Sequence, residues 1–279
     1  MIQEERERET GLEPATLAER AALEHENWIA YLTGVVRCGD AGFVHRDGGA
    51  VTILSDLPFD WFNQVLVERP DATKAGLLAG IKEGLDHAGS FVVRLRDGVD
   101  DRFTATLNGI GFAAAGEATT IPGMVAFPID RDAIAAVIAP GRLPRFEIHR
   151  VRDAVGIDDH RKVVTEGFGS AFAVALGTTC TELLDRPECD VYVGYLDGAP
   201  VASGLGWRTG RTIGVYAIAT IPTARRRGYG AAMIARVVTD GLVAGCDVAA
   251  LQASESGRPI YERLGFRVDV RYLSYLSRR

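Results

Sequence analysis

The sequence predicts an α/β protein in which helices flank a mixed, mostly antiparallel central β-sheet, preceded by a second α/β domain. Three observations support this prediction. The chain has 279 residues, whereas a single compact domain usually holds about 100–200. Apolar residues make up 47% and charged residues 24%, a balance typical of globular proteins because burial can offset chain entropy. Short strand-like runs alternate with helical patterns in both halves.

The first half begins with an amphipathic helical pattern over Leu17–Leu32, in which apolar residues recur near helical spacing among Glu and Arg. Such a charged helix usually packs one face on a core and leaves the other solvated. Further helices are predicted over Ala72–Ala88 and Asp101–Asn108. Strands are predicted at Gly42–Val44, Ala50–Leu54 and Phe91–Leu95, with a strand pair around Phe112–Phe127.

A change of composition marks the predicted domain boundary. Between Ile129 and Arg145 the pattern loosens into a helix-like stretch followed by APGRLPR, whose two prolines and glycine suit a linker. The boundary is therefore expected near Leu143. It divides the chain into an N-terminal α/β domain, residues 1–142, and a second domain, residues 146–279.

The second half predicts a mixed sheet with helices on its faces. One hairpin is expected to have Asp197 and Gly198 at its tip, where a tight turn needs positive φ. Helices are predicted over Asp153–Gly167 and Ser170–Leu184, from the arginine-rich loop to about Val243, and over Gly257–Leu264. Strands are predicted at Phe146–Val151, Asp190–Leu196, Pro200–Trp207, Thr212–Thr220, Val248–Ala253 and Arg267–Leu276.

Charge and cysteine usage exclude several classes of protein. The net charge of −6 argues against a nucleic-acid-binding surface, which needs clustered Lys and Arg. The cysteines Cys38, Cys180, Cys189 and Cys246 lack metal-ligand spacing, so no metal is expected and they are interpreted as reduced thiols. The charged N-terminus and the lack of an apolar run of about 18–20 residues disfavour secretion and membrane insertion. A cytoplasmic protein is expected.

The segment Ile218–Val238 carries the clearest chemical signal. A strand ends, Pro222 blocks its continuation, three arginines and two glycines form a tight loop, and an apolar helix begins. Such a loop directs several backbone N–H groups toward one point beside a positive helix end, and its glycines let a ligand approach closely. The alternative is a solvated arginine cluster on a simple turn. Neither GxGxxG nor GxxxxGK[ST] is present, so the pattern favours a phosphate or pyrophosphate site of another kind.

This segment resembles the central motif of the GNAT acetyltransferase superfamily, a strand followed by V-x-P-x-x-R-x-x-G-x-G and a helix. Pro222, Arg225, Gly228 and Gly230 match it, while Thr220 stands where valine is commoner. The resemblance implies an acetyl-CoA site. It implies that the backbone of Ile218, Ala219 and Thr220 pairs with the pantetheine arm. It also implies that the pyrophosphate is wrapped by Arg226, Arg227, Gly228, Tyr229, Gly230 and Ala231.

A second match follows at the distance that the family leads us to expect. Leu251–Phe266 is similar to the next GNAT motif, a strand, A-S-x-x-G, a helix and Y-x-x-x-G-F. Ser254 stands where many members place Asn or Ser near the cofactor. Tyr261 stands where many place the general acid, although a buried tyrosine is more often a core residue. The resemblance covers roughly residues 146–279.

The resemblance implies direct attack of a neutral amine on the thioester, with Tyr261 protonating the leaving sulfur. The general base is not evident, because Arg211–Thr220 contains no carboxylate. Tyr216 is expected on the same strand face as Ile218 and Thr220, where it would line the acceptor pocket. Glu255 and Glu182 are weaker candidates for the base, since each is typical of a solvated surface.

The first half contains a faint repeat of the second. Asp101–Phe112 resembles the GRPIYERLGF segment, with Gly111-Phe112 in place of Gly265-Phe266, but Leu107 replaces the tyrosine and no RxxGxG precedes residue 146. The first half is therefore either a degenerate GNAT-like domain or a chance likeness, since a helix that ends on Gly is common.

The leading hypothesis from the sequence is an N-acetyltransferase that uses acetyl-CoA to acylate an amine of a small molecule or peptide. The alternatives are a non-catalytic acyl-CoA-binding or regulatory module and a nucleic-acid-binding protein that uses Arg225–Arg227. No nucleic-acid or membrane partner is expected. The acceptor and the oligomeric state are not determined by the sequence, because acceptor specificity in such folds depends on variable loops.

Overall fold

The computed structural model describes residues 16–38, 42–55, 57, 60–87, 90–169, 175 and 178–277. The predicted helix over Ser170–Leu184 falls partly outside these residues. Within the described part, its last residues form a short 3-10 helix, Thr181–Asp185.

The first half forms four helices and six strands within the described residues. The first helix begins at a capping box in which Thr16 and Glu19 exchange side-chain-to-backbone hydrogen bonds, and it runs three residues beyond the predicted Leu32. Strand Gln64–Val67 was missed, because four residues are too short for a periodic pattern to stand out. The helices are α1 (Leu17–Val35), α2 (Lys74–His87), α3 (Thr104–Gly109) and α4 (Arg131–Val137), and the strands are β1 (Phe43–Asp47), β2 (Ala50–Leu54), β3 (Gln64–Val67), β4 (Val92–Arg96), β5 (Phe112–Ala114) and β6 (Ile121–Ala126).

The second half follows its predicted order closely. Asp197 and Gly198 have φ of 52° and 80°, as the predicted hairpin tip requires. The helices are α5 (Ala154–Phe168), α6 (Tyr229–Val243) and α7 (Arg258–Arg263), and the strands are β7 (Phe146–Arg150), β8 (Cys189–Leu196), β9 (Ala199–Thr209), β10 (Thr212–Thr220), β11 (Val248–Gln252) and β12 (Arg267–Ser277).

The described strands join into one sheet rather than two. Its order is β1-β2-β3-β4-β12-β6-β11-β10-β9-β8-β7, with β5 on β12. Only β3 with β4 and β10 with β11 pair in parallel; the other pairs are antiparallel. The mixed, mostly antiparallel α/β sheet expected from the sequence is therefore confirmed.

The two halves exchange strands at the centre of this sheet. The last strand, β12, lies between β4 and β6 of the first half, and β6 in turn pairs with β11 of the second half. The expected strand pair around Phe112–Phe127 is wrong for this reason, because β5 and β6 each pair with β12 and not with each other. Each half thus supplies the strand that extends the sheet of the other.

The element order of the first half repeats that of the second. Strands β1, β2 and β3 form an antiparallel meander followed by α2 and the parallel strand β4, as β8, β9 and β10 are followed by α6 and β11. The two Gly-Phe junctions also correspond, since Gly111 and Gly265 both have a φ of 87°. The two halves therefore share one order of elements.

Helix α1 packs across the centre of the sheet and joins the two halves. It contacts β6, β9, β10, β11 and β12. Trp28 and Leu32 are fully buried there, and Trp28 packs edge-on against Tyr272 of β12, 4.4 Å between ring centroids. Among the described residues, no helix is both long and apolar enough to cross a bilayer.

The expectation of four reduced cysteines is wrong for one pair. Cys38, which follows α1, and Cys180, which precedes β8, form a disulfide between residues 142 positions apart. Spacing along the sequence gives no sign of such a pair, because only the fold brings the two residues together. Cys189 and Cys246 are free and buried. The disulfide links the end of α1 to the segment between α5 and β8.

Candidate active site

Strand β10 has one free edge near its end. It pairs with β11 only through Thr212, Ile213 and Gly214, so the two strands diverge beyond this point. On its other edge, β10 stays paired with β9 as far as Thr220. The backbone of residues 216–220 therefore faces the gap beside β11 without a strand partner. Ile218, Ala219 and Thr220, the residues expected to pair with pantetheine, all lie in this stretch.

A β-bulge interrupts β10 in the same stretch. The register with β9 shifts between Tyr216 and Ala219, and Ala217 has a φ of 50°. The carbonyl of Ala217 turns out of the ladder and accepts a hydrogen bond from Ser203 Oγ at 2.9 Å. A bulge adds one residue to a strand and so reverses the faces beyond it.

The bulge corrects the expected orientation of Tyr216. Ile218 packs in the core cluster of α6, whereas Tyr216 packs in the opposite cluster under α1. Tyr216 is 7% exposed, stacks on Tyr31 with ring centroids 3.7 Å apart, and donates a hydrogen bond to Asn27 Oδ1 at 2.6 Å. The prediction that Tyr216 shares a face with Ile218 and Thr220 is therefore wrong. Strict period-two alternation, on which it depended, fails across the bulge.

The loop between β10 and α6 leaves the start of the helix open. Gly228 is the N-cap, has a φ of 92° and makes no side-chain capping bond. The first backbone donor within the helix is Ala232 N–H, to Gly228 O. The N–H groups of Gly228, Tyr229, Gly230 and Ala231 thus have no acceptor among the described residues, and the helix dipole adds positive potential at the same point. This geometry suits an anion.

The loop also leaves room for an anion beside Gly228 and Gly230. A Cβ added at Gly228 or Gly230 would meet no atom closer than 3.5 Å, namely Leu143 Cδ2 and Thr220 Oγ1 respectively. Arg225 does not contact this space, because it donates to Gly167 O at 2.6 Å and to Thr220 O at 3.2 Å. Arg225 therefore fastens the loop to α5 and to the end of β10.

A cavity of about 680 Å³ adjoins the loop. Its walls are α4, the linker after α4, the loop and α7. Arg227 and Gly228 line it from the loop, Leu143 from the linker and Ile260 from α7. No Asp or Glu among the described residues lines the cavity. The combination of cationic and apolar walls fits a ligand that carries both phosphate and an apolar group.

The second motif lies at the start of α7. Ser254 Oγ accepts the N–H of Gly257 at 3.1 Å, which places Ser254 as a local cap of the turn before the helix. Tyr261 is half-buried and packs on Phe266 with ring centroids 6.1 Å apart. Its hydroxyl has no hydrogen-bond partner among the described residues. Burial raises the pKa of Tyr261 to about 12, so the phenol keeps its proton at neutral pH.

A buried carboxylate beside the gap between β10 and β11 was missed by the sequence analysis. Glu24 of α1 is fully buried, and its Oε1 accepts a hydrogen bond from Gln252, the last residue of β11, at 2.5 Å. Its Oε2 lies 2.5 Å from Tyr272 Oη, which lies 3.0 Å from His25 Nδ1, while His25 Nε2 lies 2.8 Å from Val67 O. In the amphipathic pattern of α1, Glu24 looks like one of the charged residues of the solvated face. The sequence therefore gives no sign that it is buried.

These contacts form one buried hydrogen-bonded chain. Tyr272 Oη donates to Glu24 Oε2, and only a protonated Nε2 of His25 can bond the carbonyl of Val67. Burial disfavours charge on both side chains, since it raises the pKa of Glu24 to about 7 and lowers that of His25 to about 3.

In the first half, the helix that corresponds to α6 is α2, and other residues cover its N-terminal end. Thr73 N–H donates to Gly48 O at 2.8 Å, and Gly76 N–H donates to Thr73 Oγ1 at 3.0 Å. A Cβ at Gly76 would lie 2.5 Å from Asp47 O. The turn between β1 and β2 therefore covers the N-terminal end of α2 and leaves no room there for a pyrophosphate.

One family model matches the part of the chain that contains this site. Residues 187–268 match the family model of the acetyltransferase (GNAT) domain. The free edge of β10, the open loop and α7 all lie within that range. The part of the chain that matches the GNAT domain therefore holds this site, and the match supports acyl transfer as the general activity.

Solved structures extend the likeness to the whole chain. A GCN5-related N-acetyltransferase from Kribbella flavida aligns with a TM-score of 0.65 at 16% identity over 93% of this chain and 96% of that chain. One from Sphaerobacter thermophilus aligns with a TM-score of 0.56 at 17% identity over 94% and 93%. At these identities the likeness shows the fold alone. A search of curated proteins found no match.

Proposed function

We propose that this protein is an N-acetyltransferase that transfers the acetyl group of acetyl-CoA to an amine of a small molecule or peptide. The observation that carries this proposal is the open N-terminal end of α6 beside the free edge of β10. One feature supplies N–H donors for a pyrophosphate. The other supplies an unpaired strand edge for an extended amide-containing arm.

The cofactor contacts follow from these two features. Arg226, Arg227, Gly228, Tyr229, Gly230 and Ala231 hold the pyrophosphate, while Ile218, Ala219 and Thr220 bond the pantetheine amides. Ser254 lies at the end of β11, across the gap from β10, and takes a supporting position near the cofactor. The residues fit acetyl-CoA because the N–H groups at the loop lack other acceptors and the neighbouring cavity is cationic.

The acyl transfer proceeds by direct attack. The amine nitrogen forms a bond to the thioester carbon, the carbon–sulfur bond breaks, and Tyr261 gives its proton to the sulfur; the proton that the nitrogen loses restores the neutral phenol. A backbone N–H near the bulge stabilises the negative charge that develops on the carbonyl oxygen. Tyr261 suits the acid role because its raised pKa keeps the phenol protonated. Its hydroxyl also makes no hydrogen bond with a described residue, so it is available to a ligand.

We further propose that the chain is organised as the two units expected from the sequence, residues 1–142 and 146–279, with the cofactor bound by the second. The first unit is a degenerate GNAT-like repeat that covers the acceptor side of the active unit. In this proposal Tyr216 lines the acceptor pocket from the side of the sheet that α1 covers, opposite the side on which Ile218 packs. The protein is cytoplasmic, and its partner is the amine acceptor.

A screen of amines for CoA release tests the function. The full chain is incubated with acetyl-CoA and with longer acyl-CoAs against small amines and peptides, and the acylated product is identified by its mass. We expect acetyl-CoA-dependent product with at least one amine. Tight acetyl-CoA binding without turnover across the panel would contradict transfer and favour a non-catalytic acyl-CoA-binding module.

A further inference from the structure

Two arginines that line the cavity beside the loop have no side-chain partner among the described residues. Other arginines of the second half are engaged: Arg258 bonds Glu262 at 2.7 Å and Arg236 bonds Asp240 at 2.9 Å. By contrast, the side chains of Arg142 and Arg263 make no hydrogen bond or ion pair with a described residue, although both border the cavity. Two unpaired guanidinium groups around one cavity leave positive charge for an anion to neutralise.

These two arginines come from opposite sides of the domain boundary. Arg142 is in the linker that follows α4, in the first half, and Arg263 is the last residue of α7, in the second half. Val137 of α4 and Ile260 of α7 also line the cavity and give it apolar walls. The first half therefore forms part of a cavity that opens onto the loop of the second half.

The loop does not need these arginines for a pyrophosphate. Its own N–H groups from Gly228 to Ala231 and the Arg227 side chain already surround that position. Arg142 and Arg263 lie on other walls, so their charge suits a further phosphate carried by the same ligand. An apolar ring between the two kinds of wall would be enclosed by Val137 and Ile260.

We propose that Arg142 and Arg263 bind the 3′-phosphate on the ribose of CoA, and that α4 and α7 enclose the adenine. The proposal rests on the proposed use of acetyl-CoA and extends it, because it assigns part of the cofactor site to the first half. It makes the protein selective for CoA over 3′-dephospho-CoA. The first half is then a contributor to cofactor binding and not only a cover for the acceptor.

Calorimetric titration of the full chain with CoA and with 3′-dephospho-CoA tests this selectivity. The unmodified protein is expected to bind CoA roughly 10- to 100-fold more tightly, as charge-assisted hydrogen bonds to a phosphate imply. In Arg142→Ala, Arg263→Ala and the double variant, the affinity for CoA falls toward that for dephospho-CoA, which stays unchanged. Arg258→Ala, on the same helix but paired with Glu262, serves as the matched control and keeps the full preference.

Three outcomes would overturn the proposal. One is a double variant that keeps the full preference for CoA, and another is an unmodified protein that binds both ligands equally. An equal loss for both ligands would place the arginines at the pyrophosphate instead. If the unmodified protein binds neither ligand, the proposed use of acetyl-CoA fails as well, which distinguishes that result from the other three.

Discussion

At the scale of single residues, the phenol of Tyr261 carries the proposed chemistry. Tyr261→Phe removes the proton donor and keeps the ring that packs on Phe266. We expect turnover to fall by about 10²–10⁴-fold with little change in acetyl-CoA affinity. Steady-state kinetics and calorimetry measure the two effects. Tyr195→Phe is the matched control, since that hydroxyl bonds Asp159 on the protein surface, and it should leave turnover unchanged.

The pKa of Tyr261 sharpens this test. Because burial raises it to about 12, the phenol stays protonated across the usual assay range. A general acid loses activity only when it loses its proton. Between pH 7 and 10 the ionisation of Tyr261 should therefore not lower activity. Full activity of Tyr261→Phe at every pH would remove this residue from the mechanism.

The buried carboxylate of Glu24 should make stability depend on pH. Its folded pKa of about 7 lies above the ordinary value of 4.5, so its contribution to stability is fully present below pH 4.5 and is lost as the pH rises through 7. The loss is on the order of 3 kcal/mol. Glu24→Gln keeps an uncharged, hydrogen-bonding side chain and should abolish this dependence.

Denaturant unfolding of the two proteins from pH 4 to pH 8 measures the effect. The protein also loses stability through His25, whose pKa is lowered, as the pH falls from the ordinary value of 6.5 toward about 3. His25 is present in both proteins, so the difference between them isolates Glu24. Glu255→Gln, an exposed carboxylate, is the control. Parallel pH profiles for the unmodified protein and Glu24→Gln would contradict the buried proton.

At the scale of elements, the loop before α6 carries the cofactor claim. Gly230→Val is a clean test because the added Cβ meets only Thr220 Oγ1 at 3.5 Å and the side chain extends into the space assigned to the anion. We expect acetyl-CoA binding to be lost while the circular dichroism and the unfolding midpoint change little. Gly228 is less suitable, since its φ of 92° would strain any side chain.

Gly109→Val makes the same change at another helical glycine with open space around it, in α3. It should leave acetyl-CoA affinity intact. A folded Gly230→Val variant with unchanged affinity would exclude the loop as the pyrophosphate site.

Most elements of the second half could be predicted from local patterns. Strand β10 has the bounds that its composition and the following proline indicate, and α6 ends at Val243 as expected. The bulge could not be predicted, because nothing in the run from Val215 to Ala219 marks the residue that leaves the ladder. The prediction of which face Tyr216 lies on was therefore wrong, although the predicted bounds of the strand were correct.

Contacts between the halves were the part that the sequence did not reveal. The disulfide of Cys38, the bonds of Glu24 and the position of Arg142 all depend on strands and helices that meet only in the folded chain. Local pattern identifies elements and motifs, whereas partners far apart in the sequence depend on topology. The GNAT motifs were visible because each is contiguous.

At the scale of the whole molecule, the exchanged strands make each half depend on the other. A fragment of residues 146–279 lacks β4, β5 and β6, the three strands that pair with β12, and exposes the edge of β11. Unpaired edges favour aggregation. We expect this fragment to be insoluble or inactive alone and to regain solubility when it is produced together with residues 1–145. Gel filtration and a turnover assay measure both properties; a soluble fragment with full turnover would contradict this dependence.

The central claim is that the chain binds acetyl-CoA at the start of α6 and only there. The corresponding start of α2 is covered by the turn between β1 and β2, so the repeated architecture offers one open helix end among the described residues. Calorimetric titration of the full chain with acetyl-CoA tests this directly. The account predicts one molecule bound per chain, whereas two molecules per chain, or none, would contradict it.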